Sequence, residues 1–493
     1  MLMKNNVQLI TYADRLSGAG IPELHALLAN ELSGLFSGVH ILPFFYPIDG
    51  SDAGFDPIDH ARVDERIGSW QDIKVLGQDC EIMADLIVNH ASAESDEFQD
   101  VLAKGKDSQY WDLFLTKDKV FPGGASEEQL ALIPRPKTTG CFTPYTLATG
   151  EQVDFWTTFT DTQIDLDVES ELGRQYLKKV IDTFAANNIS YIRLDAAGFA
   201  IKKAGTSCFM IDETFDFINE LSDMANQAGM KSLVEIHSYY KTQIEIAKRV
   251  NLVYDFALPP LVLHYLTSKD VKPLVNWLKI SPRNCITVLD THDGIGIEDA
   301  AGKDGQPGLL TQRQIDSLVA AIHSNSGGGS EKASGAAASN VDIYQVNCSF
   351  YDALAKDDLS YLIARAIQFF APGVPQVYYG GLLALENDLE LLARTNVGRD
   401  INRSYLNNAQ VAEAMEKPVV KALAALIRLR NEHPAFDGLF EICGEQQKLC
   451  LKWLNGVHSA RLVVDMALLQ ATIFLSDGDN QQQIMLDELL AGN

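Results

Sequence analysis

The stretch ISYIRLD at residues 189–195 decides the fold, because this apolar run of strand length carries Arg193 and ends on Asp195. Similar short segments alternate with helix-length amphipathic segments along the chain, as in repeated βα units. The predicted strands are residues 7–12, 39–45, 81–88, 189–195, 231–236, 252–256, 285–289 and 374–379. Eight such strands predict a (β/α)8 barrel, although an open doubly wound sheet has the same periodicity.

Two long segments interrupt this alternation and predict insertions after the third and seventh strands. Residues 89–171 are rich in Gly, Pro and Thr, and residues 294–347 contain the small-residue runs GGGS and GAAA. Both would lie on the rim where βα loops shape a barrel's active site. Residues 1–88, 172–293 and 348–436 then form the barrel, and short alternating segments at 437–493 predict a small antiparallel C-terminal β domain.

The composition argues against several partners and compartments. A formal charge of −26 over 493 residues disfavours nucleic acid, which is bound by clustered Lys and Arg. A mean hydropathy of −0.03 leaves no excess apolar character for a membrane, and the N-terminus lacks the apolar core of an export signal. The seven scattered cysteines fit a reducing cytoplasm. An anionic substrate would therefore need arginines inside a local pocket.

Ionisable residues cluster at the ends of the predicted strands. They are Asp85, His90, Asp195, Glu235, Asp290, His292 and Asp293. One such residue alone usually caps the next helix. A set spread over different strands of one barrel converges on a single pocket, because parallel strands end at the same rim.

The spacing of Arg193 and Asp195 has chemical content. Side chains alternate along a strand, so these two point to the same side, as do Glu235 and His237 if the fifth strand extends that far. A guanidinium beside Asp195 would favour its ionised form, which a nucleophile requires. A pair of carboxylates in a cleft is what enzymes that cleave or transfer glycosides use, one to attack the sugar and one to protonate the departing oxygen. A structural salt bridge is the alternative role for Arg193.

Four segments resemble the ordered signature segments of the α-amylase family. They are DLIVNH at 85–90, RLD at 193–195, EIH at 235–237 and THD at 291–293. The resemblance implies a retaining mechanism with Asp195 as nucleophile, Glu235 as general acid/base and Asp293 as transition-state stabiliser.

Further segments resemble the sucrose phosphorylases within that family. They are AGFDPIDH at 53–60, GTSCF at 205–209, YDFALPP at 254–260, DTHDGIG at 290–296, YQVN at 344–347 and GRDINR at 398–403. This implies glucosyl transfer from sucrose to inorganic phosphate, giving fructose and α-glucose 1-phosphate, and a homodimer. We expect no cofactor and no metal, because the chain lacks a phosphate-binding Gly loop and a calcium loop.

The same resemblance assigns substrate-binding residues. Those that would hold the glucosyl unit are Asp52, Phe55, His90, Phe159, Arg193, His292, Gln345 and Arg399. Those that would face fructose or phosphate are Arg135, His237, Asp342 and Tyr344. Phe55 and Phe159 as plain core aromatics, and the 131–145 loop as an exposed rim, remain open alternatives.

Three other functions remain open at this point. Phosphorylases acting on sucrose 6′-phosphate, glucosylglycerate or glucosylglycerol would share the same carboxylates. A sucrose-type α-glucosidase would use water in place of phosphate. An inactive carbohydrate-binding scaffold on the same barrel would keep the fold without the reaction.

Overall fold

The computed structural model describes residues 5–134, 137, 139–303, 305–334, 345–443 and 448–492. Within these ranges a closed barrel is formed by eight parallel strands. The eight strands follow one another around the barrel in the same order as in the chain. They are Gln8–Thr11, Gly38–Ile41, Glu81–Ile87, Tyr191–Asp195, Lys231–Val234, Leu252–Asp255, Cys285–Thr287 and Val374–Tyr378. The first strand pairs with both the second and the eighth, so the sheet closes and the predicted barrel is confirmed over the open sheet.

The barrel strands are buried on both faces. Every residue of the strands Gln8–Thr11, Gly38–Ile41 and Tyr191–Asp195 is buried, as expected for a parallel sheet covered by helices. Each covering helix presents an apolar stripe to the sheet; that of Glu171–Ala186 includes Leu177 and Ile181, at helical spacing.

The helices follow the strands in regular order. Those of the barrel are Ala13–Ser17, Ile21–Ala29, Trp70–Asp79, Glu171–Ala186, Asp212–Gln227, Tyr240–Ala247, Leu258–Ser268, Lys272–Ile280, Phe350–Ala353, Asp358–Phe370, Tyr379–Leu382, Leu389–Thr395, Asn408–Met415 and Pro418–Glu432. The second insertion contains the helices Gln312–Asn325 and Gly329–Ser334. Shorter helices in the first insertion are Asp96–Lys104, Lys117–Val120 and Glu127–Ala131. No helix in the described ranges combines the length and apolar character needed to cross a bilayer.

Small two-stranded sheets build the rim above the barrel. They pair Phe45–Tyr46 with Asp59–Val63, His90–Ser92 with Gln163–Asp165, Phe142–Thr146 with Gln152–Trp156, and Ile295–Gly296 with Gln345–Val346. A buried ammonium ties the first insertion to the barrel: Nζ of Lys202 lies 2.7 Å from Oδ2 of Asp165 and 2.8 Å from Oδ1 of Asn89. The division into barrel, two insertions and C-terminal domain remains our proposal for the chain's organisation.

The C-terminal region forms a five-stranded antiparallel sheet within its described residues. The strands are Leu439–Ile442, Leu449–Asn455, His458–Asp465, Gln470–Asp477 and Asn480–Met485, followed by the helix Leu486–Leu490. Trp453 donates its indole N–H to the Phe370 carbonyl at 2.9 Å, so the sheet docks on a barrel helix. A hairpin brings Cys443 and Cys450 together as a disulfide, which the scattered cysteine spacing did not predict.

Gly381 lies in the short helix after the eighth strand, where there is no room for a side chain. A Cβ there would overlap Nη2 of Arg365 and Oδ2 of Asp290, two buried atoms that form an ion pair at 2.6 Å. We expect Gly381→Ala to lower the free energy of unfolding by about 3–5 kcal/mol, the cost of breaking a buried ion pair. Denaturant unfolding measures this.

Gly380→Ala is the matched control, because a Cβ at that neighbouring position would stand 3.3 Å from the nearest atom, in the Tyr378 ring. Equal unfolding free energies for the two variants would contradict the prediction.

Candidate active site

The predicted catalytic carboxylates lie at the C-terminal ends of different barrel strands. Asp195 is the last residue of the fourth strand, and Glu235 follows directly on the fifth, which ends at Val234. Asp293 lies in the segment after the seventh strand. Parallel strands of a barrel end at one rim, so the chain delivers the three side chains to the same opening.

One guanidinium joins two of these carboxylates. Nη1 of Arg193 lies 2.7 Å from Oδ1 of Asp195, and Nη2 lies 2.7 Å from Oε1 of Glu235. Arg193 and Asp195 do point to the same side of their strand. The fifth strand ends before Glu235, so the alternation argument does not apply to Glu235 and His237.

A third carboxylate, on the neighbouring third strand, contacts the same guanidinium. Asp85 pairs with Arg193 in the strand register, and its Oδ1 lies 2.6 Å from Nη1. Its other oxygen lies 3.0 Å from Nε2 of His40. Burial alone would raise the pKa of Asp85, but His40 and Arg193 lower it to about 2. Arg193 is therefore fixed in direction by an ionised partner on a neighbouring strand.

The electrostatics of Asp195 differ from those of Asp85. Burial raises the pKa of Asp195 well above its usual range, and Glu235 and Asp85 add to the rise. Arg193 favours the ionised form, as expected from the sequence, but it is shared among three carboxylates and does not outweigh burial. The surroundings of Asp195 therefore favour its protonated form in the absence of substrate.

Cations surround the third predicted catalytic residue. Nη1 of Arg399 lies 3.0 Å from Oδ1 of Asp293 and 3.5 Å from Oδ2 of Asp52. Arg403 lies 3.6 Å from each of the same two carboxylates. Burial alone would raise the pKa of Asp293, but Arg399 and the cations beside it hold that pKa well below its usual range. Asp293 is thus an ionised carboxylate, in contrast to Asp195, whose pKa is raised.

Aromatic side chains line the space near Arg193. Phe55 stacks on His292, with ring centroids 5.0 Å apart and planes at 7°, and the Arg193 guanidinium lies 5.7 Å from its ring centroid. His90 contacts the Phe55 carbonyl at 3.0 Å, and Phe159 meets the His90 ring edge-on at 5.6 Å. Burial lowers the pKa of His292 to about 3, so this ring is neutral. The two phenylalanines thus pack against two histidines of the predicted site.

His237 and Gln345 lie together on another side of the rim. Nε2 of His237 is 3.3 Å from Nε2 of Gln345, and Nδ1 is 2.9 Å from Oδ2 of Asp299. Arg135, Asp342 and Tyr344, which the sequence places on the acceptor side, lie outside the described residues.

Sequence reasoning missed four polar residues of the site: His40, Asp85 as the partner of Arg193, Asp299 and Arg403. Arg403 follows Arg399 by four residues, and the 3₁₀ turn Gly398–Asn402 places both on Asp293. The GRDINR segment contained both arginines, but spacing alone does not reveal that turn. Asp299 carries no sequence signal, since it follows a rim segment of irregular structure.

No group of three or more His, Cys, Asp or Glu side chains placed to hold a metal ion occurs in the described part of the chain.

Comparison with known proteins places this arrangement in a family. Residues 34–251 match the family described as Alpha amylase, catalytic domain. A sucrose phosphorylase of Agrobacterium vitis is 59% identical over 96% of this chain and 98% of the relative. The chain belongs to the sucrose phosphorylase family. It is a retaining, glycosyl-transferring enzyme on the α-amylase barrel.

Two further relatives support the assignment to the sucrose phosphorylase family. A sucrose phosphorylase of Bifidobacterium adolescentis is 54% identical over 94% of this chain and 92% of the relative. The crystal structure of a sucrose 6F-phosphate phosphorylase from Thermoanaerobacter thermosaccharolyticum superposes with a TM-score of 0.91 at 37% identity, covering 98% of both chains.

Proposed function

We propose that this enzyme catalyses the reversible phosphorolysis of sucrose to α-glucose 1-phosphate and fructose through a covalent glucosyl-enzyme. The observation that carries the proposal is Arg193, which lies 2.7 Å from both Asp195 and Glu235. Two carboxylates held beside one sugar site are what a double displacement requires, one as nucleophile and one as acid and then base.

In the first half-reaction, Asp195 attacks the anomeric carbon of the glucosyl unit. The mechanism requires Asp195 to be ionised and Glu235 to carry a proton, which Glu235 donates to the departing fructosyl oxygen. Asp293, kept ionised by Arg399 and its neighbours, binds ring hydroxyls more tightly as the sugar flattens toward an oxocarbenium ion. These interactions strengthen in the transition state, so they raise the rate as well as the affinity.

In the second half-reaction, phosphate replaces fructose and attacks the same carbon from the same face. Phosphate is an anion, so a protein with a formal charge of −26 must offer it a local positive field. Arg399 and Arg403 contribute positive charge on the Asp293 side, part of which Asp52 and Asp293 offset. Both half-reactions invert the anomeric carbon, so the product keeps the α configuration.

The test is an assay of purified enzyme with sucrose and phosphate, following α-glucose 1-phosphate and free glucose separately. We expect phosphate to be consumed in proportion to the sucrose cleaved. Free glucose without α-glucose 1-phosphate would indicate a hydrolase. Faster turnover of sucrose 6′-phosphate, glucosylglycerate or glucosylglycerol would assign another acceptor, and binding of sucrose without turnover would indicate a scaffold.

We further propose that the reaction needs no metal ion or organic cofactor, because the two carboxylates supply both the nucleophile and the proton. Activity should be unchanged, within assay error, after dialysis against a chelator. A loss that added metal restores would overturn this proposal.

A cytoplasmic location and a homodimer complete the proposed function. The buried free thiols of Cys208, Cys285 and Cys348 support a reducing compartment, whereas the Cys443–Cys450 disulfide is atypical of one. The dimer rests on family resemblance. Cell fractionation and light scattering on the purified enzyme test the two statements separately.

A further inference from the structure

Asp299 is a buried carboxylate with no part in the chemistry described above. Its side chain is 1% exposed and lies in the turn Glu298–Ala300, beyond the seventh strand. Oδ1 accepts hydrogen bonds from the Ser238 backbone N–H at 3.0 Å and the Gln243 amide at 2.6 Å. Oδ2 lies 2.9 Å from Nδ1 of His237. The Asp299 carboxylate therefore binds three donors, all from the segment that follows Glu235 in the chain.

The contact with Asp299 fixes the hydrogen of the His237 ring. A carboxylate can only accept, so Nδ1 carries the hydrogen and Nε2 is left to face Gln345. The ring also stacks on Phe256, with centroids 3.9 Å apart and planes at 14°, which holds the plane of the ring. The position of His237 and its tautomer are thus both set by groups outside the substrate pocket.

The backbone of the second insertion locks the same arrangement. Gly296 pairs with Gln345 in a two-stranded sheet, and a Cβ at Gly296 would stand 2.6 Å from Oδ2 of Asp299. Only glycine allows this strand to pass so close to the pair. Gln345 is held further by Gly294, whose backbone N–H donates to its Oε1 at 3.3 Å. The amide nitrogen of Gln345 is consequently the atom that faces His237.

The edge formed by His237 and Gln345 has a chemical property that depends on the charge of the ring. With a neutral ring, Nε2 accepts from the Gln345 amide at 3.3 Å. With a protonated ring, Nε2–H of His237 and the amide N–H of Gln345 are two donors that face each other. Rotating the Gln345 amide by 180° would relieve this conflict but would break the hydrogen bond that its Oε1 accepts from the Gly294 N–H. An oxygen that accepts from both groups removes this conflict. A phosphate oxygen is such an acceptor, whereas a sugar hydroxyl can also donate to a neutral Nε2.

We propose that Asp299 is a positioning residue of the acceptor side, which orients His237 so that its Nε2 and the Gln345 amide take a sugar hydroxyl with a neutral ring and a phosphate oxygen with a charged one. The inference deepens the proposed phosphorolysis and rests on it. It explains how one subsite serves a neutral acceptor and an anionic one in alternate half-reactions.

The charges around the ring agree with this assignment. Burial alone would lower the pKa of His237, but Asp299 raises it above the usual range, and Glu235 and Asp293 add to the rise. Glu298, next to Asp299 in the same turn, is the other titratable group that the ring influences. These acidic neighbours favour the protonated ring and burial favours the neutral one, so the charge of the ring can follow the charge of the bound acceptor.

The first test is Asp299→Asn, which keeps the shape of the side chain. Its Oδ1 can still accept from Ser238 and Gln243, but its amide then faces Nδ1 of His237 as a donor, which moves the hydrogen to Nε2 and disfavours the charged ring. We expect the KM for phosphate to rise by about 10- to 100-fold, because phosphate then meets a neutral N–H in place of a charged one. We expect kcat and the KM for sucrose to change much less, because a sugar hydroxyl can accept from Nε2–H as well as donate to a bare Nε2. The pH above which phosphate affinity declines should also fall, because the ring loses its proton at lower pH.

The second test is a double-mutant cycle that combines Asp299→Asn with His237→Gln. If Asp299 acts through the ring, adding Asp299→Asn to His237→Gln should leave the KM for phosphate unchanged. Additive losses in the double variant, or an unchanged phosphate KM in His237→Gln, would overturn the proposal. The His237 side chain is 25% exposed, so this single variant remains informative even if Asp299→Asn does not fold.

The wild-type assay separates the two levels of proposal. A wild-type enzyme that makes no α-glucose 1-phosphate would refute the proposed function itself. A wild-type enzyme that makes it, with a phosphate KM insensitive to both substitutions, would refute only the role of Asp299.

Discussion

Asp195→Asn is expected to abolish turnover of sucrose, with a loss on the order of 10⁴- to 10⁶-fold, as for the removal of an essential nucleophile in other covalent enzymes. An amide oxygen lacks the charge needed to attack the anomeric carbon, so no glucosyl-enzyme can form. The measurement is mass spectrometry after incubation with a fluorinated α-glucosyl fluoride, which forms the covalent intermediate but reacts on from it slowly. The wild-type enzyme should carry the label on the peptide that contains Asp195, and the variant should carry none.

The design of this experiment guards against misfolding. Asn has the shape of Asp and can keep one hydrogen bond from Arg193, so the melting temperature should change little. Asp79→Asn is a matched control at an exposed position, where the carboxylate ends the helix Trp70–Asp79 and pairs with His25. A label found on another residue, or a fully active Asp195→Asn, would remove Asp195 from the mechanism.

The barrel could be predicted because its signal is repeated. The run at 189–195 corresponds to the strand Tyr191–Asp195, and the other predicted strands differ from the observed ones by a few residues at each end. The C-terminal sheet was predicted less completely. Its last strand, Asn480–Met485, is largely exposed and polar, so it has no apolar alternation to detect. Its pairing with Gln470–Asp477 creates a strand that the sequence alone does not mark.

The site shows a similar division between what the chain encodes locally and what the fold creates. Asp195 and Arg193 are two residues apart on one strand, so their proximity follows from strand geometry. The contact of Arg193 with Asp85 joins residues 108 positions apart, and that of Asp299 with His237 joins residues 62 positions apart. Such contacts depend on barrel register and rim loops. The pKa of Asp195 depends on burial and on those distant carboxylates, which explains why one local arginine was not enough to predict it.

Glu235→Gln is expected to lower kcat/KM with sucrose by roughly 10²–10⁴-fold, because the fructosyl oxygen then leaves without a proton. The loss should be much smaller with α-glucosyl fluoride and phosphate, since fluoride leaves as an anion without protonation and phosphate is already ionised. The ratio of the two rates therefore isolates the proton transfer. Glu81→Gln is a control at the first residue of the third strand, at the opposite end of the barrel, and should leave both rates unchanged.

The pH profile gives this variant a second signature whose sign follows from the site. Asp195 must be ionised to attack, and its raised pKa places the acidic limb of kcat/KM above the range of an ordinary aspartate. Glu235 contributes to that rise, so replacing it with glutamine should lower the pKa of Asp195 and move the acidic limb to lower pH. The alkaline limb, where the wild-type enzyme loses the proton of its acid, should disappear. A variant with an unchanged bell-shaped profile on sucrose would show that the two limbs belong to other groups, and that Arg193 joins these carboxylates for structural reasons alone.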